Sequence, residues 1–331
     1  MAIDLLSIKP NKVSRDLSGY TIYIYGAGGT GKTTLASQLD RALLVAFEIG
    51  YKAIPGIHAQ DVKTWAEFKQ VVRELKKPEV QETFKSICID TIDIATDLCE
   101  KYICSREGVE KLADIPWGGG WKMMKKEFEE TFRSISQMNY ALFFISHSKD
   151  KVFKREDGTE YNQVIPSLSN SYNEIIRNMS DIQGYAHQTR IENGTPVVML
   201  TLRSQDGSIE CKSRFKMIEP EVLFTYKDLS KALSNAIEKE ATMTDNKFVT
   251  DAPVEKVSDV VYDFNAMMDE FNSIVKAIQL NHADDFKAVW APKIFAITEK
   301  VLGKGKKVSE MTESQAEQLD VILGELKDLE K

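Results

Sequence analysis

The chain has 331 residues and a formal net charge of −7, with 43% of its residues hydrophobic and 28% charged. This is the profile of a globular chain with enough apolar surface for a sizeable core, and it excludes a wholly disordered protein, a collagen-like repeat and a small disulfide scaffold. The charge is uneven: residues 241–331 carry 11 Lys+Arg against 17 Asp+Glu, a net of −6 that leaves −1 to residues 1–240, so nucleic-acid contact has to come from local basic loops.

Taken in chain order, the N-terminus meets Asp4 early and lacks a long apolar run before a small-residue cleavage site, so it does not read as a signal peptide. The runs Tyr20–Tyr25, Ala42–Phe47, Ser86–Ile89 and Tyr140–Ser146 are nearly continuous in Val, Ile, Leu, Phe and Tyr. Such runs predict strands buried on both faces of a parallel sheet. Helices are predicted between them at Lys32–Arg41, Thr64–Leu75, Ile92–Cys104 and Gly120–Met138. Beyond Ser146 the pattern gives a polar loop over 148–170, in which Glu156–Glu160 reads as a hairpin turn, and then a helix at Tyr172–Met179. Strands follow at Asp181–Arg190 and Pro196–Ser204, joined through an Asn193-Gly194 hairpin signal, with a short one at Ile209–Arg214. Residues 241–257 are polar, hold a proline and lack apolar periodicity, which predicts a linker. The remainder, 258–331, is an acidic helical module with apolar stripes and a capping-box pattern at Thr312 and Gln315.

No apolar run approaches the roughly 18 residues a membrane span needs. The four cysteines, Cys88, Cys99, Cys104 and Cys211, have neither CxxC nor paired zinc spacing. They read as buried thiols of a protein in a reducing cytoplasm, with no membrane partner.

The chemistry begins at Gly26-Ala27-Gly28-Gly29-Thr30-Gly31-Lys32-Thr33, a complete GxxxxGK[ST] between a predicted strand and a predicted helix. Glycines let successive backbone N–H groups turn inward around phosphate oxygens, and a helix N-terminus adds a favourable partial charge. The expected nucleotide is therefore ATP held by Gly26–Thr34, with Lys32 reaching the β- and γ-phosphates. Thr33 is expected to ligate Mg²⁺. Asp90 ends the Ser86–Ile89 run directly, as a magnesium-organising carboxylate at a strand end does, while Asp93 competes as a plain helix cap.

Glu48 ends the first strand after the phosphate-loop helix. A carboxylate there can orient the water that attacks the γ-phosphate. In this feature, the 20–240 segment resembles the RecA-like ATPases, more narrowly the phage Sak-type single-strand annealing and recombination ATPases. The resemblance implies an α/β fold, a RecA-like P-loop NTPase core with a mainly parallel central sheet flanked by helices, here followed by the helical module. It places a γ-phosphate sensor at His147, where relatives usually have Gln. It also aligns Cys211–Phe215 with the Lys-Asn-Arg-Phe-Gly segment of RadA-like relatives, so that Lys212 and Arg214 would reach across a subunit boundary into a neighbour's ATP site. Ser213 and Lys216 depart from that segment.

In the same family two loops meet single-stranded DNA. Their counterparts are Ser105–Trp121, with its Trp117-Gly-Gly-Gly-Trp121, and Ser148–Asn170, whose candidate contacts are Lys149, Lys151, Phe153, Lys154 and Arg155. Basic side chains neutralise phosphates and aromatics stack on bases of any sequence. Asp150, Glu156, Asp157 and Glu160 balance those cations in the linear sequence.

The expectation is thus a Mg²⁺/ATP-dependent RecA-like ATPase core over 1–240, a linker over 241–257 and a helical module over 258–331. It would act on single-stranded DNA in recombination, annealing or repair, as a homo-oligomeric ring or filament in the host cytoplasm if phage-encoded. The helical module carries no recognisable chemistry, and three roles stay open for it: competing with DNA for the basic loops, binding a single-strand-binding or replication protein, or stabilising assembly. The competing readings are an ATP-gated DNA-binding scaffold with incidental hydrolysis and an AAA+ helicase loader; the latter predicts a helical lid after the core strands, where this chain instead returns to hairpin strands.

Overall fold

The structure is a computed structural model and describes residues 6, 8–138, 140–192, 194–245, 247–252 and 262–329. Two compact units divide the chain, one spanning Pro10–Ser258 and the other Asp259–Lys331 with Met1–Lys9.

In the larger unit the strands are β1 (Val13–Ser14), β2 (Thr21–Gly26), β3 (Ala42–Ala46), β4 (His58–Asp61), β5 (Ser86–Asp90), β6 (Ala141–Ser146), β7 (Ser148–Lys154), β8 (Glu160–Pro166), β9 (Ile182–Glu192), β10 (Thr195–Thr201), β11 (Lys212–Ser213), β12 (Glu221–Leu223) and β13 (Val249–Thr250). Its helices are α1 (Lys32–Ala36), α2 (Trp65–Glu74), α3 (Pro78–Thr83), α4 (Ile92–Glu107), α5 (Gly119–Ser136), α6 (Asn170–Met179) and α7 (Tyr226–Thr244). The main sheet runs β12-β10-β9-β2-β6-β5-β3-β4, with β11 also on β9. From β4 to β9 every pairing is parallel, while β10, β11 and β12 join antiparallel. This is the mainly parallel α/β sheet of a RecA-like P-loop NTPase, extended past β9 by antiparallel strands.

Alternation along each strand feeds two cores. Tyr23, Val45, Leu142 and Phe144 face one, built with Trp65, Phe68, Phe128 and Phe132 of α2 and α5. Ile22, Ile24, Leu44, Phe143 and Ile145 face the other, covered by α1 and α7 through Leu35, Leu229 and Leu233. Burial on both faces is why these strands read as continuous apolar runs.

Several elements differ from the sequence reading. The helix expected to reach Arg41 stops at Ala36, and Ser37–Arg41 continues as turn and bend. The 148–170 segment is not a loop: β7 and β8 form an antiparallel hairpin from Ser148↔Pro166 to Lys154↔Glu160. Strand pairing over Ile209–Arg214 is confined to β11 and one isolated bridge from Ile209 to Val164. Part of the 241–257 segment is structured, because α7 continues to Thr244 and β13 pairs in parallel with β1. Residues 253–257 and Asn193 of the expected turn lie outside the described residues; Gly194 takes the left-handed φ of 80° that such a turn requires.

The smaller unit contains α8 (Phe264–Asn281), α9 (Ala291–Leu302) and α10 (Ala316–Leu329). They close around Ile278, Ile294, Leu319, Ile322, Leu323 and Leu326. At the approach to α10, Thr312 N donates to Gln315 Oε1 at 3.1 Å, completing the reciprocal capping pattern read at this position.

Candidate active site at the phosphate-binding loop

Strand β2 delivers its last residue, Gly26, beside β9, where a Cβ would stand 2.3 Å from Ala186 O, so only glycine lets the loop start there. The chain then turns through Gly29 and Gly31 at φ 78° and 86°. A Cβ on Gly28, Gly29 or Gly31 would meet nothing within 4 Å. That open, backbone-walled concavity is what a phosphate chain occupies in a nest of N–H groups.

Lys32 is buried and its Nζ donates to Gly26 O and Ala27 O, both at 2.8 Å. Burial lowers its pKa, against the opposing pull of Asp90 and Glu48. Thr33 Oγ1 donates to Asp90 Oδ2 at 2.6 Å. Burial raises the Asp90 carboxyl, partly offset by the Thr33 hydrogen bond. These two hard oxygen donors, side by side at the mouth of the loop, suit Mg²⁺.

Glu48 follows β3, and its N–H and that of Phe47 both donate to Asp90 O, at 3.1 and 2.7 Å. Its carboxylate Oε2 lies 3.2 Å from His147 Nε2, just past the end of β6. Thus parallel pairing of β3, β5 and β6 brings Glu48, Asp90 and His147 to one edge of the sheet. All three line one cavity of about 320 Å³ with Gly28, Gly29, Gly31, Lys32, Thr33 and Thr34. A second, more apolar cavity of about 370 Å³ shares Gly31 and Thr34 with it and is walled by Thr30, Gln38, Val197, Leu223 and Phe224. The sequence reading did not find that cavity, since β10 and β12 are brought to the loop only by the antiparallel extension of the sheet.

Lys212 and Arg214 lie elsewhere. Strand β11 pairs with the first residues of β9, which in turn stand beside Ile22 and Tyr23 at the start of β2, whereas Gly26 at its end aligns with Ala186. They are therefore at the far end of the sheet from their own phosphate loop. Lys212 Nζ donates to Arg177 O at 2.6 Å and Arg214 Nε lies 3.1 Å from Asp181 Oδ1.

The β7–β8 hairpin leaves the sheet immediately after His147. Its period-two alternation places Lys149, Lys151, Phe153 and Arg155 on one face, opposite Ile165, Gln163 and Tyr161. Asp150, Val152 and Lys154 take the other face with Glu160, and Lys154 pairs with Glu160 at 3.3 Å. Phe153 and Tyr161 stack with centroids 5.7 Å apart, Lys151 Nζ lies 4.9 Å from the Phe153 ring and Arg155 Cζ 4.9 Å from that of Tyr161. Trp117, in the other expected DNA loop, is 97% exposed.

A family model described as an AAA domain matches residues 18–215, more than half of the chain and the whole stretch from β2 through β11. The chain belongs to the AAA domain family. Its AAA domain is a nucleotide-hydrolysing P-loop ATPase unit. Over 341 aligned residues and 99% of both chains, the protein is 29% identical to the SPbeta prophage-derived uncharacterized protein YorG of Bacillus subtilis (strain 168). Among solved structures, the flagellar accessory protein FlaH of Methanocaldococcus jannaschii matches 62% of this chain and 85% of its own at 12% identity and a TM-score of 0.32. None of the helices among the described residues is long and apolar enough to cross a membrane.

Proposed function

We propose that this chain is a Mg²⁺/ATP-dependent, RecA-like ATPase acting on single-stranded DNA in phage recombination, annealing or repair, with each ATP site completed by an adjacent subunit. The observation that carries the hydrolytic part is the convergence of Lys32, Thr33, Asp90, Glu48 and His147 on one cavity. When bound, Mg²⁺ neutralises charge on the β- and γ-phosphate oxygens. Within the chain, Thr33 and Asp90 hold that ion, Lys32 turns from the loop carbonyls toward phosphate, and Glu48 orients the attacking water. His147 holds the Glu48 carboxylate and hydrogen-bonds the terminal phosphate. The nucleoside end continues past Gly31 and Thr34 into the apolar cavity beside Val197 and Phe224.

Support for the DNA part comes from charge segregation on the hairpin. Asp150 and Glu160 fall on the face opposite Phe153 and Tyr161, Glu156 and Asp157 lie beyond the paired residues, and Lys151 and Arg155 flank the Phe153–Tyr161 stack. Phosphate neutralisation and sequence-tolerant stacking are the two needs of single-strand binding. Placement of Lys212 and Arg214 away from their own loop agrees with action on a neighbour in a ring or filament. The prophage origin of YorG supports a phage setting. Against a helicase loader stands the return of β9 into β10, at the point where that reading calls for a helical lid.

The test is the ATPase rate of the full chain with and without single-stranded DNA, alongside Lys32→Ala. Turnover stimulated severalfold by DNA and lost in the variant is expected. Unchanged turnover in Lys32→Ala would overturn the nucleotide assignment, whereas turnover indifferent to DNA, in a chain that coats DNA only with ATP bound, would favour the gated scaffold.

A further inference from the structure

The carboxylate of Asp93 stands in the first turn of α4, three residues beyond Asp90. Its Oδ1 accepts from Ser167 Oγ and from Ser146 Oγ, the latter at 3.0 Å, and its Oδ2 accepts from His147 N at 3.2 Å. Ser167 N in turn donates to His147 O at 2.8 Å. These partners have a common meaning in the fold. Ser148 and Pro166 form the first pair of the β7–β8 ladder, so His147 and Ser167 are the two residues by which the hairpin leaves and rejoins the body. One side chain therefore holds both legs of the hairpin at the root.

The same side chain reaches the nucleotide site by two short routes. Through the first turn of α4 it is joined to Asp90, which contacts Thr33. Through the main chain of His147 it fixes the residue whose ring meets Glu48. Beyond its root, the hairpin is a two-stranded ribbon whose seven-residue arms extend about 23 Å at roughly 3.3 Å per residue. Contacts from the larger unit reach it mainly in its lower half, at Val164 and Gln163 from Ser208 and Gly207. A small rotation at the root is thus carried to Phe153 and Tyr161 as a larger displacement.

We infer that Asp93 is a positioning residue that couples the nucleotide site to the hairpin, by clamping His147 and Ser167 together at the hairpin root. The inference rests on the proposed nucleotide site for its input and on the proposed DNA face only for its consequence. What matters is acceptor geometry. In Asp93→Asn, Oδ1 can still accept from the rigid His147 N–H while Nδ2 donates to serine hydroxyls, which can rotate to accept. In Asp93→Ala the clamp is gone.

Hydrogen exchange of the full chain, with and without Mg²⁺ and a non-hydrolysable ATP analogue, tests this with no DNA present. In the wild type and Asp93→Asn, the analogue is expected to slow exchange in peptides covering 148–166 at least threefold, together with 26–34. In Asp93→Ala, protection of 26–34 is expected to persist while the response of 148–166 disappears. A wild-type hairpin indifferent to the analogue, or an Asp93→Ala hairpin that responds as the wild type does, overturns the coupling. Absence of protection at 26–34 in the wild type instead sinks the nucleotide reading, and the coupling with it. Ser167→Ala removes a single arm of the clamp and carries the same comparison if Asp93→Ala does not fold; a full response in that variant counts against the inference.

Discussion

Glu48 and His147 are 99 residues apart in sequence, yet their side chains approach to 3.2 Å above the phosphate loop. Both are substantially exposed, at 44% and 39% of the side chain, so the pair sits at the open mouth of the cavity rather than in the core. A carboxylate held at its outer oxygen by an imidazole keeps its other oxygen available for a water. Glu48→Gln keeps the shape and the His147 contact but removes the basic oxygen. It is expected to lower the steady-state ATPase rate by about 10²–10⁴-fold, the range for loss of a positioned general base, with ATP affinity changed less than threefold in equilibrium binding. His147→Ala should cost about tenfold in rate. Equal turnover in wild type and Glu48→Gln would remove the water-orienting role.

Asp90 gives a pH dependence with a definite sign. Burial raises its carboxyl pKa, so the folded chain keeps the proton to higher pH than the unfolded chain, whose Asp titrates at about 3.9. Its contribution to stability is therefore complete below the unfolded value and is lost as pH rises through the folded one. Asp90→Asn removes that loss. Melting curves at pH 8 without metal are expected to show the variant more stable by roughly 1–2 kcal/mol, the scale for replacing a poorly compensated buried charge. The gain should shrink toward pH 4, and the variant should no longer be stabilised further by Mg²⁺ with ATP. A variant less stable than wild type at pH 8 refutes the assignment.

The strands were legible because β2, β3, β5 and β6 are buried on both faces and so spell out apolar runs. Strand β4 was not: His58, Gln60 and Asp61 are exposed on the sheet edge, and a strand held mainly by backbone pairing to β3 leaves no apolar trace. Helix α3 buries none of its residues and shows no stripe for the same reason. For the hairpin, summing charge over 148–161 hid what strand parity separates. The phosphate loop, Asp90 and Glu48 could be placed from local context, since each abuts a readable strand. Asp93 could not, because Ser146, His147 and Ser167 lie 53 to 74 residues away and the clamp exists only once β6 and the hairpin root are folded beside α4.

Strand parity makes the proposed DNA face separable by mutation. Lys151→Glu with Arg155→Glu reverses two charges beside the aromatic stack, whereas Lys154→Glu falls on the opposite face, already paired with Glu160. The double variant is expected to weaken single-stranded DNA binding by at least tenfold at 0.1 M salt and to flatten the salt dependence by about one unit of slope for each phosphate no longer neutralised. Lys154→Glu should stay within about threefold of wild type. Fluorescence anisotropy over a salt series measures both, and equal losses in the two variants would show that only bulk charge matters.

The proposed completion of the site by a neighbour is open to a mixing experiment. Arg214 is 57% exposed at its side chain and held at Asp181, which also accepts from Thr21 N at 2.8 Å through its other oxygen. Because the same carboxylate is anchored to the first residue of β2, the guanidinium has a fixed origin from which to reach outward, and arginine's planar fork suits a γ-phosphate with developing charge. Truncation of this exposed side chain should alter stability by less than about 1 kcal/mol, while ATPase activity should fall by about 10³-fold, the lower range for an arginine supplied in trans. Lys32→Ala is expected to be inactive for a different reason, a damaged phosphate loop beside an intact Arg214. In a mixture, some interfaces then pair the sound loop of one variant with the sound arginine of the other. Equimolar mixing of the two inactive proteins is expected to restore up to about a quarter of wild-type activity, the fraction of interfaces in which random assembly joins two intact halves. Activity that stays at the background of the separate variants, in a mixture shown by light scattering to co-assemble, would place Arg214 outside the neighbour's site.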